Sequence, residues 1–591
     1  MPKKRKKGLL PAGALIFLLV VVALIVILIV LLAIDCSGNS RRSIPDATLV
    51  PTEIPATPSP TPTPSPVPTP EVSPTPASSP TPTPGPGAYA VTSIFSGAEP
   101  SNLGVLSAVV ADGVQVESYS RSEKIFMGTS DTYFALDGVA TFRGNNYRDG
   151  GAWGTIPNNP NELEIVWANH IGQLAGWGGV GWTGQCALVR WPEDTRAIMN
   201  LYAEKQQKAD LIEVIYAAMD GNIYFLDLED GTPTRDPIRV GAPIKGSVSV
   251  DPRGYPLLYC GQGIYEIDGK TVPVGTRIFS LIDQSLLYFL DGHDQFSLRK
   301  WYAFDASPLV DAQTDTLIQV GENAILYLVK LNTQYDPEGG TISVDPVVDR
   351  YVFTSDISDK PGMENSIAVY NQYGYFADNS GLLQCVNLNT LTCEWAFNVQ
   401  DDTDASCVLE EEGENCVALY TACQIDHRGS RGDVYLRKLD ALTGEEKWSV
   451  GIPAKTGGDE NGGGAFATPA VGKGSLSQLV YFHIARTTDE PGSGTIYALD
   501  KQTGDLVWKR DLKYYGWSSP TCLYSEDGKG YVLVGSGSGQ LRILDGLTGE
   551  LLADADLESN IEGSPAVFGD MLVVGTRGKY IVGVKIKGGS V

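Results

Sequence analysis

The chain has 591 residues and a formal net charge of -26; beyond residue 87 it carries 37 Lys/Arg against 66 Asp/Glu. An excess of that size repels nucleic acid and anionic lipid, so the globular part is not a nucleic-acid binder. With 66 Gly and 27 Tyr against 6 Met, the composition is that of a turn-rich, aromatic β chain.

Ala12 to Ile34 is an uninterrupted apolar run of 23 residues. That length matches the roughly 20 helical residues needed to cross a bilayer and exceeds the core of a signal peptide. Lys3, Lys4, Arg5, Lys6 and Lys7 precede the run, and only Arg41 and Arg42 follow it closely. The expectation is a basic cytoplasmic tail at 1–11, a single transmembrane helix at 12–34, and everything beyond it outside the cytoplasm.

Between Pro45 and Pro86 lie 16 of the 37 prolines, mostly in TPTP and SPTP strings. Such a segment lacks the side chains for a core and favours polyproline II, so residues 35–87 read as a disordered, extended stalk. Residues 88–140 read as a short β-rich preface with a hairpin at Ala111-Asp112-Gly113.

From residue 141 onward internal repeats dominate. Asp440-Ala-Leu-Thr443-Gly444 leads to Trp448, Asp500-Lys-Gln-Thr503-Gly504 to Trp508, and Asp545-Gly-Leu-Thr548-Gly549 to Ala553. Asn387 to Trp395 and Asp227 to Gly231 are worn copies. The Asp accepts from turn N–H groups, Gly supplies a positive φ, and the Trp falls on the returning strand. A second landmark, Ser/Thr-Pro before an apolar strand, is clear at 307, 468, 519 and 564 and looser at 183, 247, 366 and 406. The spacings, 64, 60, 59, 40, 62, 51 and 45, each accommodate four short strands. The last unit is too short for four, and Glu162 to Asn169, bearing Trp167, reads as its missing strand. The expected fold is all-β: an eight-bladed β-propeller of four-stranded blades over 141–591, closed by an upstream strand.

The phrase from Ala498 through Asp500, Thr503 and Gly504 to Trp508 resembles the tryptophan-docking motif of pyrroloquinoline-quinone (PQQ)-like propeller repeats. That superfamily includes quinoprotein alcohol dehydrogenases and an outer-membrane assembly scaffold. The resemblance implies structural, blade-docking roles for Trp167, Trp395, Trp448, Asp500, Gly504 and Trp508. Quinoprotein dehydrogenases typically add a disulfide between adjacent cysteines, a Ca²⁺ site and an Asp base. No two of the nine cysteines here are adjacent, so no PQQ or other cofactor is expected.

Catalytic sets are thin. His170, His293, His427 and His483 are scattered without metal-ligand spacing, and no C-x-x-C pair exists. The acidic runs Asp401, Asp402, Asp404 and Glu410 to Glu414 read as solvated loops, so no metal is expected. Cys385 and Cys393 flank one turn and Cys407 and Cys416 another; each pair is either a disulfide or two free thiols. Residues just before each landmark approach the channel mouth, which nominates Trp182 and Trp517 as a ligand face, with Trp177 in an exposed Gly-rich loop and Trp191 nearby. Rings plugging the channel is the competing reading. Thr141 to Arg148 reads as a cap. The expected function is a membrane-anchored, extracytoplasmic binding or scaffolding module for an envelope protein or cell-wall glycan. The alternative is an enzyme, either a quinone-dependent oxidoreductase or a polysaccharide-acting propeller.

Overall fold

The computed structural model describes residues 91–589 apart from 92, 183, 457–461 and 489–492. The expected tail and spanning helix, the whole of the stalk, and Cys36 lie outside these residues. Among the described residues no helix is long and apolar enough to cross a membrane.

The regular structure of the described chain is almost entirely strand. Its unit is a four-stranded antiparallel meander, repeated in chain order. The first runs through Ala187–Arg190, Ile212–Ala217, Asn222–Asp227 and Ile238–Arg239, and the second through Ser249–Val250, Leu257–Cys260, Gly275–Ser280 and Leu286–Asp291. The third comprises Leu309–Asp311, Thr316–Gly321, Ile325–Lys330 and Val347–Thr354; the fourth, Ala368–Tyr370, Tyr373–Ala377, Leu382–Asn387 and Thr392–Asn398. The fifth comprises Val408–Gly413, Cys416–Ala422, Arg431–Asp440 and Glu446–Lys455; the sixth, Ala470–Val471, Leu479–Thr487, Ser493–Asp500 and Leu506–Asp511. The seventh holds Thr521–Tyr524, Gly530–Gly535, Gln540–Asp545 and Leu551–Asp556. The last takes Ala566–Phe568, Met571–Thr576 and Tyr580–Gly588 from the C-terminal end and its outer strand, Pro160–His170, from far upstream.

Burial explains the strand sequences. A middle strand is covered on both faces by neighbouring meanders, so Ile325–Lys330 (ILYLVK) is buried over its first five residues. The outer strand Glu446–Lys455 is covered on one face only, and Trp448, Ile452 and Ala454 point inward while Ser449, Gly451 and Pro453 are exposed. Apolar layers fill the gap between each successive pair of meanders. One more layer, with Trp167, Leu188, Val214, Ala566 and Ile581, joins the last meander to the first.

The repeated phrase is a dock between neighbours. Trp395 Nε1 donates to Ala441 O at 2.8 Å, Trp448 Nε1 to Lys501 O at 2.9 Å, and Trp508 Nε1 to Gly546 O at 2.9 Å. Each ring lies over the turn glycine of the next meander: a Cβ on Gly444, Gly504 or Gly549 would fall 2.6–2.9 Å from it. The turn Asp accepts from two following N–H groups, as Asp500 Oδ1 does from Gln502 and Thr503.

The preface forms no separate body. Its hairpin, Leu106–Ala111 with Val114–Val116, turns on Asp112 and Gly113, both at positive φ, and extends the outer edge of the third meander. The chain then straps across its neighbours. Phe95 N binds Thr443 O in the fifth meander, Met127 N binds Asn371 O in the fourth, and Ala135 N binds Pro252 O in the second.

Candidate functional site

The inner strands begin at the Ser/Thr landmarks, and the hydroxyls of those landmarks stitch the meanders together. Ser307 N donates to Ser366 Oγ, Ser366 N to Ser406 Oγ, Ser406 N to Thr468 Oγ1, Thr468 N to Ser519 Oγ and Ser519 N to Ser564 Oγ, all within 2.8–3.1 Å. Ser564 N returns to Gly184 O at 3.0 Å, and Gln185 N donates to Ser247 Oγ at 2.8 Å. Thr183, on which the first landmark is expected, lies outside the described residues; Gln185, two residues before the strand Ala187–Arg190, takes a landmark's place in this ladder. Its side chain replaces a hydroxyl and donates to Pro565 O instead.

Thr141 to Arg148 is the cap that its sequence suggests. Thr141 Oγ1 fills the step between the second and third meanders, 2.8 Å from Ser249 Oγ and 2.9 Å from Ser307 Oγ. The buried Arg148 donates to Ile367 O, Phe142 O, Ser307 O and Thr141 Oγ1. Arg143 reaches Gln185 and Thr521, and Tyr147 reaches Glu411. Phe142, buried on this segment, forms part of the wall of the central cavity.

The position two residues before each landmark defines a ring. Read from the second meander to the last it is Lys245, Asp305, Glu364, Asp404, Phe466, Trp517 and Glu562. Asp305, Glu364, Asp404, Phe466 and Trp517 line one small cavity of about 20 Å³, room for about one water molecule, with Trp182, Phe142 and the landmark serines. Lys245 lies against Trp182 and Asp305, and Arg577 Nε pairs with Glu562 at 3.6 Å. The ring is two-sided. Asp305, Glu364 and Asp404 are consecutive on one arc, while Phe466, Trp517 and Trp182 follow on the other.

The aromatic arc is packed. Phe466 stacks on Trp517 at 4.6 Å and 24°, and Trp182 meets Trp517 edge-on at 5.8 Å. Trp177 adds a second edge contact to Trp182 at 6.5 Å. Lys245 Nζ stands 4.2 Å from the Trp182 ring centre and 3.2 Å from Asp305 Oδ2. Trp182 itself adopts φ 56°, a costly left-handed conformation for a bulky residue. Its Nε1 reaches Glu364 Oε2 at 3.4 Å. Trp177 and Trp182 are half-buried, whereas Trp517 is 4% exposed and its Nε1 has no partner.

The acidic arc is over-supplied with charge. Asp305, Glu322 and Glu364 each bring a carboxylate oxygen within 4.8 Å of the others, a hard-oxygen set that suits a divalent cation. Burial pushes the carboxyls of Asp305, Glu322, Asp402 and Asp404 upward, and neighbouring carboxylates add to it. Glu364 moves the other way: Lys245 and the Asn379 amide overcome its burial and keep it ionised. Lys245 is held charged against burial by Asp305, Glu322 and Glu364.

Several expectations need correction. Trp191 is not at the channel; it follows the strand Ala187–Arg190 outward, is fully buried between the first two meanders, and donates to Glu213 Oε2 at 2.9 Å. Asp401, Asp402 and Asp404 do not sit in a solvated loop. Asp401 accepts from the His427 and Asp426 N–H groups and from Arg428, and the other two face the buried acidic arc. The loop from Gly176 to Trp182 is not free, since Trp177–Gly178 pairs with Gln173–Leu174 and Val180 is buried. All eight described cysteines are free thiols. A bulge between Cys385 and Val386 places Trp395 opposite Cys385 and Val386 opposite Cys393. Cys416 falls opposite Gly413 in an exposed turn while Cys407 is buried, so neither proposed pair is bridged.

The class defined by these features is an all-β, propeller-type protein with a central cavity capped by its own chain. The family described as outer membrane protein assembly factor BamB matches residues 492–591. No curated protein matches the chain. Quinohemoprotein alcohol dehydrogenase ADHIIG from Pseudomonas putida HK5 is similar in structure, with 13% identity, 77% of this chain and 81% of that chain covered, and a TM-score of 0.51. BamB from Moraxella catarrhalis has 15% identity, 73% and 99% coverage and a TM-score of 0.46. At these identities the likeness concerns the fold. The family match is confined to residues 492–591, and the rest of the chain is shown to be propeller-type in fold alone.

The residues of the cavity do not fit PQQ. A flat quinone needs an open aromatic face, and Phe466 covers that of Trp517 while Lys245 covers that of Trp182. PQQ is also a tricarboxylate, and it would meet Asp305, Glu364 and Asp404.

Proposed function

We propose that this chain is a non-enzymatic binding and scaffolding module. In this reading the meanders are eight blades of one closed ring, anchored in the cell membrane by 12–34 and held away from it by the stalk. The ring mouth docks an envelope protein or cell-wall glycan. The observation that carries the proposal is the central cavity: its wall includes the chain's own Phe142, and it joins an aromatic arc to an acidic one.

Recognition by rings and fixed charges suits this cavity better than turnover. The test is affinity capture from envelope extract with the full chain in detergent, beside Trp182→Ala and Trp517→Ala variants checked for folding. Capture of a defined partner that either variant abolishes supports the proposal. Equal capture by all three proteins removes the mouth as the site. Dye-linked alcohol oxidation after reconstitution with PQQ and Ca²⁺ would instead establish the enzyme reading.

A further inference from the structure

Three neighbouring meanders bring carboxyls together beside the central cavity. Asp305, Glu364 and Asp404 stand two residues before the landmarks of the third, fourth and fifth meanders, and all three line the cavity. Glu322 joins them from the turn between Thr316–Gly321 and Ile325–Lys330. Asp305, Glu322 and Glu364 each place an oxygen within 4.8 Å of the others. Lys245 answers Asp305 at 3.2 Å, and Arg299 reaches Glu322 Oε2 at 3.5 Å. Four carboxylates against these two cations leave two negative charges in a buried place, the charge that one divalent ion cancels.

Several of the oxygens are also stranded. Asp305 Oδ1, on a residue 7% exposed, and Glu322 Oε1, on a residue 1% exposed, have no hydrogen-bond partner. Asp404 Oδ1 is buried in the same condition. Folded proteins leave few buried polar atoms unpaired, because each forfeits its hydration without return. The cavity that Asp305, Glu364 and Asp404 share has room for about one water molecule, and so for one bare ion.

The donor set selects the ion. Carboxylate oxygens are hard ligands and suit Ca²⁺ or Mg²⁺ better than zinc or copper. Magnesium keeps several of its waters, and this cavity has no place for them. Calcium is held by protein oxygens at roughly 2.3–2.6 Å, so ligands around one ion lie up to about 5 Å apart. The three carboxyls meet that limit.

We propose that Asp305, Glu322 and Glu364 hold one Ca²⁺, with Asp404 and a water molecule completing its shell, and that the ion clamps the third, fourth and fifth meanders together at the central cavity. The same ion steadies the aromatic arc: Glu364 Oε2 reaches Trp182 Nε1 at 3.4 Å, and Lys245 links Asp305 to the Trp182 ring. In the calcium-free protein, protons on the carboxyls take its place. The clamp stands whether or not the mouth docks a partner.

The experiment uses the full chain in detergent, stripped with EDTA, dialysed, and titrated with Ca²⁺ or Mg²⁺ in a calorimeter, with thermal melts and tryptophan fluorescence alongside. The expected result is about one Ca²⁺ per chain, bound at least about tenfold tighter than Mg²⁺, with a higher melting temperature and a saturable change in fluorescence. Glu322→Gln and, separately, Asp305→Asn, each verified as folded, should weaken Ca²⁺ binding about tenfold or more and lose most of both responses. Asp426→Asn should bind like the parent. It belongs to a second, more exposed group of candidate ligands with Asp402 and His427, and loss of binding there would move the ion out of the cavity. That loss, absence of saturable binding by the folded parent, Mg²⁺ binding as tight as Ca²⁺, or parent-like affinity in both Glu322→Gln and Asp305→Asn would each overturn the assignment.

Discussion

Trp167 and Gly231 are in van der Waals contact although 64 positions separate them: a Cβ on Gly231 would lie 2.6 Å from the indole. Trp167 Nε1 also donates to Leu228 O at 2.9 Å. This dock is the counterpart of those of Trp395, Trp448 and Trp508, and it joins the last meander to the first. Trp167→Ala should cost about 3–5 kcal/mol, the usual range for emptying a buried tryptophan site. Gly231→Ala should also destabilise, because its φ of 70° is a strained conformation for alanine and its Cβ strikes the ring. Chemical denaturation of the single and double variants should show losses well short of additive, since both remove one contact.

Much of this was legible in the sequence. The Asp-x-x-Thr-Gly-x-x-x-Trp phrase encodes a turn and a dock within a few residues, and Ser/Thr-Pro marks four of the inner strands, at 307, 468, 519 and 564. What stayed hidden is long-range. Trp182 and Trp517 stand out as aromatic near a landmark, but the other members of the ring are ordinary residues in isolation. Their common phase, two before each landmark, would have found Lys245, Asp305, Glu364, Asp404, Phe466 and Glu562. Glu322 has no such signal, because it reaches Asp305 and Glu364 from a turn between middle strands. Trp191 misled because closeness in sequence to the channel is lost once a strand runs outward.

Thiol reactivity should follow burial. Burial pushes the thiols of Cys186, Cys260, Cys385 and Cys407 upward, and Cys522 rises to about 11. A raised thiol is a poor nucleophile at neutral pH. Cys416 alone among the eight described cysteines is exposed. In the native protein a thiol reagent should modify Cys416 first, with the buried thiols reacting only on unfolding. Peptide mass mapping with and without reductant should show no linkage of Cys385 to Cys393 or of Cys407 to Cys416.

Arg148 should be among the least replaceable residues of the cap. It is fully buried, and its guanidinium satisfies three carbonyls and the Thr141 hydroxyl. Arg148→Met strands these acceptors, at about 1–3 kcal/mol for each that finds no water. Arg148→Lys should recover little, because an ammonium cannot reproduce the planar fork. Thermal denaturation of both variants checks this, with loss of the cooperative transition in Arg148→Met as the extreme outcome.

The acidic arc gives the fold an unusual dependence on pH. Asp305, Glu322, Asp402 and Asp404 have folded-state carboxyls raised above their ordinary range, chiefly by burial and by one another. The folded protein therefore holds protons here that the unfolded chain has released. Stability from this arc is fully present below the ordinary carboxylate range and is lost as pH rises through the folded values. Glu364, lowered by Lys245 despite its burial, runs in the opposite sense. Four groups outweigh one, so the melting temperature should fall as pH is raised from about 5 towards 8. The side chains of Asp402→Asn and Asp404→Asn cannot ionise, so these variants should melt higher than the parent at pH 8 and track it more closely at pH 5.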